Sequence, residues 1–309
     1  MKFPRSESQT PVHTLDLNFL GVPGTIAAYL IPHRYGAILI ESGPGSTVPA
    51  LVNALQSLGY APGDVTDVLL THIHLDHAGA AGWLAEQGAR IFVHPVGAPH
   101  LLNPEKLLAS ARRIYGDMME PLWGEFLPVP ENRLVVISDG DVVEIDGLAL
   151  RALDTPGHAN HHFAYLFDDM CFSGDIGGVR MAGPRHLRLP MPPPELHLEL
   201  WRASLEKLKR EQFSLIAPTH FGIYPDASYH LAALDTALQE VADWMEATLP
   251  TGLGTEHLNQ AFQDWILRRS LSDGLDQELI HRYETANPTW MSTQGILRYW
   301  QKNRNGDAR

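Results

Sequence analysis

Apolar residues recur along this chain in two rhythms. Between residues 25 and 95, short apolar runs alternate with segments whose apolar positions fall three or four apart. "TIAAYLI" (25–31) and "AILIES" (37–42) predict strands joined by the turn "HRYG". "GPGST" then opens a helix with Val48, Leu51, Val52, Leu55 and Leu58 at helical spacing, ending at Gly59. "DVLLT" (67–71) predicts a short buried strand, Ala80–Gly88 a helix, and "RIFVHP" (90–95) another strand. This β-α-β-α-β alternation implies a layered α/β domain.

Residues 98–130 read as mostly helical and are rich in Met, Tyr and Trp, which suits a packed flank or the wall of a substrate pocket. From 133 the pattern turns β-rich: "RLVVIS", "DVVEI", "LALRALDTPGH" and the hairpin-like "FAYLF-DD-MCFSGD". After "MPPPE" a helix places Leu198, Trp201, Leu205 and Leu208 on one face, and "FSLIAPTHFG" predicts a last buried strand. Two β-rich halves, each with flanking helices, predict two sheets packed face to face and covered outside by helices.

The end of the chain differs. Leu231, Leu234, Leu238, Val241 and Met245 form an apolar helical stripe that stops at Pro250. Thr255 is the expected cap of a further helix, and Asn287-Pro288 reads as a cap followed by proline at the first helical position. The expected division is a catalytic domain over residues 1–228 and a helical subdomain over 229–309.

A formal net charge of −13, spread over both parts, lacks the basic footprint that phosphate-backbone binding needs, so nucleic acid is an unexpected partner. A single cysteine, Cys171, allows no internal disulfide, and "MKFPRSESQTPVH" lacks an apolar leader. No apolar run approaches membrane-spanning length. The expectation is a cytoplasmic protein with a small-molecule substrate and no membrane partner. Sixteen histidines point to metal chemistry or proton transfer.

The histidines concentrate in "THIHLDHAG" (71–79), directly after an apolar run. In an extended segment side chains alternate, which sends His72, His74 and Asp76 to one side, with His77 following as the chain turns. Four ligand-type side chains in six positions need partners, because buried polar groups left unpaired cost about 1–3 kcal/mol each. The pattern suits two neighbouring metal sites. Three more stretches share one syntax of apolar strand, ligand-type residue and small-residue turn: "LDTPGHA" with His158, "CFSGDIGG" with Asp175, and "LIAPTHFG" with His220.

This series, HxHxDH, then Gly-His, then Ser-Gly-Asp, then a strand-end His, resembles the metallo-β-lactamase superfamily over about residues 20 to 225. The resemblance implies a four-layer αββα sandwich with metals at one edge of the paired sheets. It implies that His72, His74 and His158 bind one metal, that Asp76, His77 and His220 bind a second, and that Asp175 bridges them. One departure is Glu41 in "LIESGPG", where the family often has Asp; it is expected to support the ligands. Imidazole and carboxylate ligands suit zinc, iron or manganese, with two zinc ions the expected cofactors. Two ions about 3.5–4 Å apart share a water whose pKa falls to about 7, which implies hydrolysis by a metal-bridging hydroxide. Asp76 is the expected catalytic residue, orienting that nucleophile and passing a proton to the leaving group.

The glyoxalase II branch is similar in pairing HxHxDH with C-terminal helices, and a lactonase-like branch is the other comparison. The Cys-Gly-Arg glutathione signature of the former is absent from "GDIGGVRMAGPRH", so an ester, a lactone or a thioester of something other than glutathione is the expected substrate. The alternatives are a mononuclear iron persulfide dioxygenase and a phosphodiesterase or ribonuclease. His161 and His162 are expected near the ligands in supporting or surface roles, His94, His100 and His186 in structural or solvated ones, and Cys171 and Tyr224 in the core. Trp290, Tyr299 and Trp300 suggest an interface for a homodimer.

Overall fold

The computed structural model describes residues 10–304; residues 1–9, most of the stretch read above for a leader, and residues 305–309 lie outside it. The first sheet holds β1 (His13–Asp16), β2 (Ala27–His33), β3 (Gly36–Ile40), β4 (Val65–Leu69), β5 (Arg90–Val93) and β6 (Leu134–Val136), side by side in that order. Its first three strands are antiparallel, and β3 to β6 run parallel because helices connect them. The second sheet holds β7 (Val142–Ile145), β8 (Leu148–Asp154), β9 (Phe163–Phe167), β10 (Met170–Phe172) and β11 (Leu215–Ala217) in the order β11-β10-β9-β8-β7. Only β10 and β11 pair in parallel there.

The alternation of side chains explains how the sheets stack. On β2, Ala27, Tyr29 and Ile31 point into a core shared with Phe163, Tyr165 and Phe172 of the second sheet. Ala28 and Leu30 point the other way, into a core shared with helix α1 (Val48–Ser57) and α3 (Ala81–Glu86). A strand buried on both faces reads as a continuous apolar run, as "AAYLI" does. On the far side, α7 (Leu198–Lys209), α8 (Ala227–Thr248), α9 (Thr255–Ser272) and α11 (Thr289–Asn303) cover the second sheet through Trp201, Leu205, Leu234, Leu238, Phe262 and Ile296. The four-layer αββα sandwich expected from the sequence is what the chain forms, with the C-terminal helices added to its second outer layer. Residue 229 falls inside the first turn of α8, and that helix shares its core with the sheet.

Several local expectations shift. Gly254, in extended conformation, takes the N-cap of α9, and Thr255 is its first residue. Asn287 ends α10 (Gln277–Ala286), so it is Pro288, one place later, that precedes the first residue of α11. The "FSLIAPTHFG" strand contracts to Leu215–Ala217, because the chain must leave the sheet to carry His220 into the loops. Tyr299 is buried with its hydroxyl on Glu199, and Trp300 packs against the second outer core. These two aromatics, expected at an interface, are used within the chain. No helix among the described residues is long and apolar enough to cross a membrane.

Trp201 ties α7 to the loop that carries Asp175: it is fully buried, and its indole N–H donates to the Ile176 carbonyl at 2.9 Å. Trp201→Ala is expected to lower unfolding stability by about 3–5 kcal/mol in urea denaturation. A loss under about 1 kcal/mol would show that this contact does not organise the layer.

Candidate metal centre

β4 delivers the chain to the site and stops at Leu69. Residues 70–74 then run irregularly, and Leu75–Ala78 form one short helix, α2, with His74 in extended conformation before it. The sequence expectation of plain extended alternation therefore fails at Asp76. The helical turn swings Asp76 and His77 away from His72 and His74, so the motif splits between two groups. His158 arrives from the loop after β8, Asp175 from the turn after β10, and His220 from the loop after β11. All seven predicted residues meet at one end of the sandwich.

His72 Nε2 and His158 Nε2 each lie 2.9 Å from His74 Nδ1. The ligand-type atoms of this trio lie within 4.8 Å of one another, and so do those of Asp76, His77 and His220. Asp175 faces both trios. Its Oδ2 is 3.3 Å from His158 Nε2, and its Oδ1 is 3.2 Å from His77 Nε2 and 3.5 Å from His220 Nε2. Asp76 Oδ2 sits 3.6 Å from His77 Nε2 and 3.5 Å from His220 Nε2.

Hydrogen bonds on the outer side of each imidazole assign its tautomer. His158 Nδ1 meets the Pro190 carbonyl at 2.7 Å, and His220 Nδ1 meets the Thr25 carbonyl at 2.8 Å. Carbonyls only accept, so both Nδ1 atoms carry the proton. His77 Nδ1 donates likewise to Glu41 Oε1 at 2.9 Å. His72 Nδ1 lies 3.0 Å from Thr71 Oγ1, whose own proton goes to Glu41 at 2.5 Å, so His72 donates too. In the neutral ring the inner nitrogen is then a bare lone pair. Four such lone pairs and two carboxylates converge, with His74 Nδ1 able to supply at most one proton between two of them. His77 Nε2 and Asp175 Oδ1 are buried with no well-aligned hydrogen-bond partner. A donor set of this kind fits divalent cations that accept nitrogen and oxygen ligands. A third compact trio, Glu41, His72 and His77, does not fit in this way. Glu41 Oε1 is already taken by Thr71, Thr219 and His77, all on the outer side.

The electrostatics agree. Burial pushes His72 and His74 well below the ordinary imidazole range, and neighbouring histidines push them further, so both stay neutral. Burial pulls the Asp76 carboxyl upward, but His77 and His220 outweigh it and hold the group at about 2. Burial likewise works against the charged form of His77, yet Asp175, Asp76 and Glu41 together raise it well above its ordinary value. Three carboxylates around His77 favour positive charge at this spot, whether a proton or a metal supplies it.

Residues 21–220 match the metallo-beta-lactamase superfamily. The chain belongs to that superfamily. It is similar to a metallo-beta-lactamase fold-containing protein of Sulfurisphaera tokodaii, 24% identical over 69% of this chain and 78% of that one. It is also similar to a hydroxyacylglutathione hydrolase of Rhodopseudomonas palustris, 28% identical over 74% of this chain and 82% of that one. A metallo-beta-lactamase family protein from Thermus thermophilus shares the fold at a TM-score of 0.61 and 23% identity, covering 94% of this chain and 93% of that one.

In this metallo-beta-lactamase superfamily member, a support layer completes the site. His162 is fully buried and turned away from the cavity; its Nε2 accepts from the backbone N–H groups of Asp175 at 3.1 Å and Ile176 at 3.3 Å. It positions the backbone of Asp175. Gly174, at φ +50°, allows that approach, because a Cβ there would stand 2.7 Å from His162 Nε2 and 2.6 Å from Thr71 Oγ1. His161 lines the cavity and pairs with Glu195 at 3.4 Å, and His100 lines the outer cavity wall. His94 pairs with Asp154 and His186 with Asp273, both outside the site. Tyr224 gives its hydroxyl to the Arg180 carbonyl, and Cys171 lies in the second outer core, where burial pushes its thiol up.

Sequence reasoning missed Thr71 and Thr219, which bind Glu41 from two distant strand ends. The signal was present: each stands directly before a ligand-type histidine, in "THIH" and "THFG". Glu41, named from the sequence as a support, holds a left-handed backbone (φ 68°) that a residue with a side chain rarely adopts. Glu41→Gln removes charge behind His77 while preserving shape, and is expected to weaken zinc affinity about 10–100-fold in competition with a chromophoric chelator. Unchanged affinity would leave Glu41 a purely structural group.

Proposed function

We propose that this chain is a binuclear metal-dependent hydrolase that cleaves an ester, a lactone or a thioester. The observation that carries the reading is Asp175 facing two complete trios at once, His72/His74/His158 and Asp76/His77/His220. A single-metal chemistry, such as an iron dioxygenase, would leave Asp76, His77 and His220 gathered round a position that binds only protons. When bound, two divalent ions would acidify a water held between them and draw electron density from the substrate's carbonyl.

The chain's own residues supply the rest. Asp76 is the one carboxylate of the centre with real access to the cavity, its side chain 19% exposed against 4% for Asp175. His77 and His220 keep it ionised near neutral pH, so its oxygens can orient an attacking water and relay that water's proton to the leaving group. His158 and His220 are fixed by the Pro190 and Thr25 carbonyls and so keep their lone pairs aimed inward through the reaction. The ester or thioester assignment draws on the hydroxyacylglutathione hydrolase above and on similarity to an atrochrysone carboxyl ACP thioesterase of Aspergillus novofumigatus, 24% identical over 64% of this chain and 49% of that one. A net charge of −13 disfavours phosphodiester or RNA cleavage.

The test is turnover of a panel of esters, lactones and thioesters by the zinc-loaded protein and by Asp76→Ala. The wild type is expected to hydrolyse at least one class, with kcat lowered about 100-fold or more in the variant. Near-normal turnover by Asp76→Ala would remove its proposed role. One iron per chain with oxygen uptake on a persulfide would overturn the hydrolase.

A further inference from the structure

Five of the seven site residues, His74, Asp76, His158, Asp175 and His220, form only the floor of a cavity of about 540 Å³, a size that holds a whole small molecule. Its walls come from two parts of the chain that are far apart in sequence. One wall is α5 (Glu105–Tyr115) and α6 (Met119–Trp123), contributing Leu107, Ile114, Tyr115 and Trp123; the other is the start of α11, with Trp290 and Met291. Tyr115 joins them. Its ring meets Trp123 edge-on at 5.1 Å and Trp290 at 6.3 Å, and its hydroxyl donates to Met291 Sδ at 3.4 Å. A thioether is a weak acceptor, so aromatic and sulfur packing, more than a polar network, closes this clamp.

The α11 wall is held at a fixed distance from the floor. Tyr283 of α10 gives its hydroxyl to the His186 carbonyl and takes the Met181 N–H, while Asn287 donates to the Leu189 carbonyl at 3.2 Å. The next carbonyl, Pro190, is the one that orients His158. The chain therefore measures the cavity height from the same strap that fixes the ligand.

Charge on the walls is sparse. Lys106 is the only lysine or arginine of the lining, and Glu195 its only carboxylate outside the metal floor. Glu195 is already committed to the Asn160 N–H at 3.0 Å and to His161. A glutathione conjugate would bring two carboxylates and an ammonium, and charges buried without partners are expensive. An alkyl or aryl group, by contrast, meets apolar surface on both sides.

We propose, taking the hydrolytic reading of the same floor as given, that the Tyr115–Trp290–Met291 clamp selects an uncharged ester, lactone or thioester bearing a bulky alkyl or aryl group, and rejects glutathione conjugates. Trp290 and Met291 are thus specificity residues supplied by the last helix, and Tyr115 is the positioning residue that sets the gap between the two walls.

Binding can be read without turnover, using non-hydrolysable S-alkyl thioethers of N-acetylcysteamine, ethyl through decyl, titrated calorimetrically into the zinc-loaded chain. Affinity is expected to rise about threefold to fourfold per methylene until the cavity fills. Trp290→Ala and Met291→Ala should flatten that rise while leaving the ethyl compound unchanged. Trp290→Phe, a smaller perturbation with near-wild-type melting, should flatten it in part if the alanine variant does not fold. S-decyl glutathione should bind at least tenfold more weakly than its N-acetylcysteamine counterpart. A flat series in the wild type, or tighter binding of the glutathione form, overturns the proposal. A steep series in a chain that hydrolyses no ester, lactone or thioester leaves the clamp standing and sinks the hydrolase; turnover with a flat series does the reverse.

Discussion

Each imidazole of the centre except His74 has an acceptor behind it, and that arrangement constrains everything else. The Pro190 and Thr25 carbonyls, Thr71 and Glu41 take the outer protons of His158, His220, His72 and His77, which leaves their inner nitrogens bare. Bare nitrogens and ionised carboxylates crowded together inside a protein repel one another unless positive charge is present. The fold bears that cost by anchoring every acceptor in rigid structure. Glu41 receives donors from β4's end and from the loop after β11, so one carboxylate links the two sheets.

The architecture explains why the anchors can be so rigid. Tyr29, Phe163, Tyr165 and Phe172 fill the space between the sheets, and Tyr29 and Tyr165 extend hydroxyls to the Pro218 and Leu70 carbonyls at 2.5 Å and 2.8 Å. Those carbonyls flank the loops that carry His72 and His220. Core packing and ligand placement are therefore coupled by hydrogen bonds from aromatic residues whose rings belong to the core. The C-terminal helices extend the same logic outward, since the strap that orients His158 also accepts from Asn287.

Much of this was legible from the chain alone, because its signals were dense and local. Ligand-type residues at strand ends, each followed by small residues, mark loops rather than packing, and the apolar rhythm on either side predicts two β-rich halves, although Leu134–Val136, read with the second half, joins the first sheet. What escaped was non-local. The split of "HLDH" between two groups is implied by the family resemblance, but the single helical turn that makes it is not anticipated by extended alternation, which put Asp76 on the side of His72 and His74. Thr71 and Thr219 look like ordinary strand-end threonines until Glu41 is placed between them. The cavity is the clearest case: Tyr115 and Met291 are 176 positions apart, and no periodicity relates them. His162 was expected near the ligands, but only the fold shows that it supports the backbone of Asp175 and does not face the cavity.

The central claim is that the two trios form two cation sites sharing Asp175. Anomalous diffraction from crystals grown with zinc tests it most directly. The account predicts two peaks of comparable height, one among His72, His74 and His158 and one among Asp76, His77 and His220, with the Asp175 carboxylate between them. A single peak confined to the first trio, with the second left to protons at saturating zinc, would contradict it.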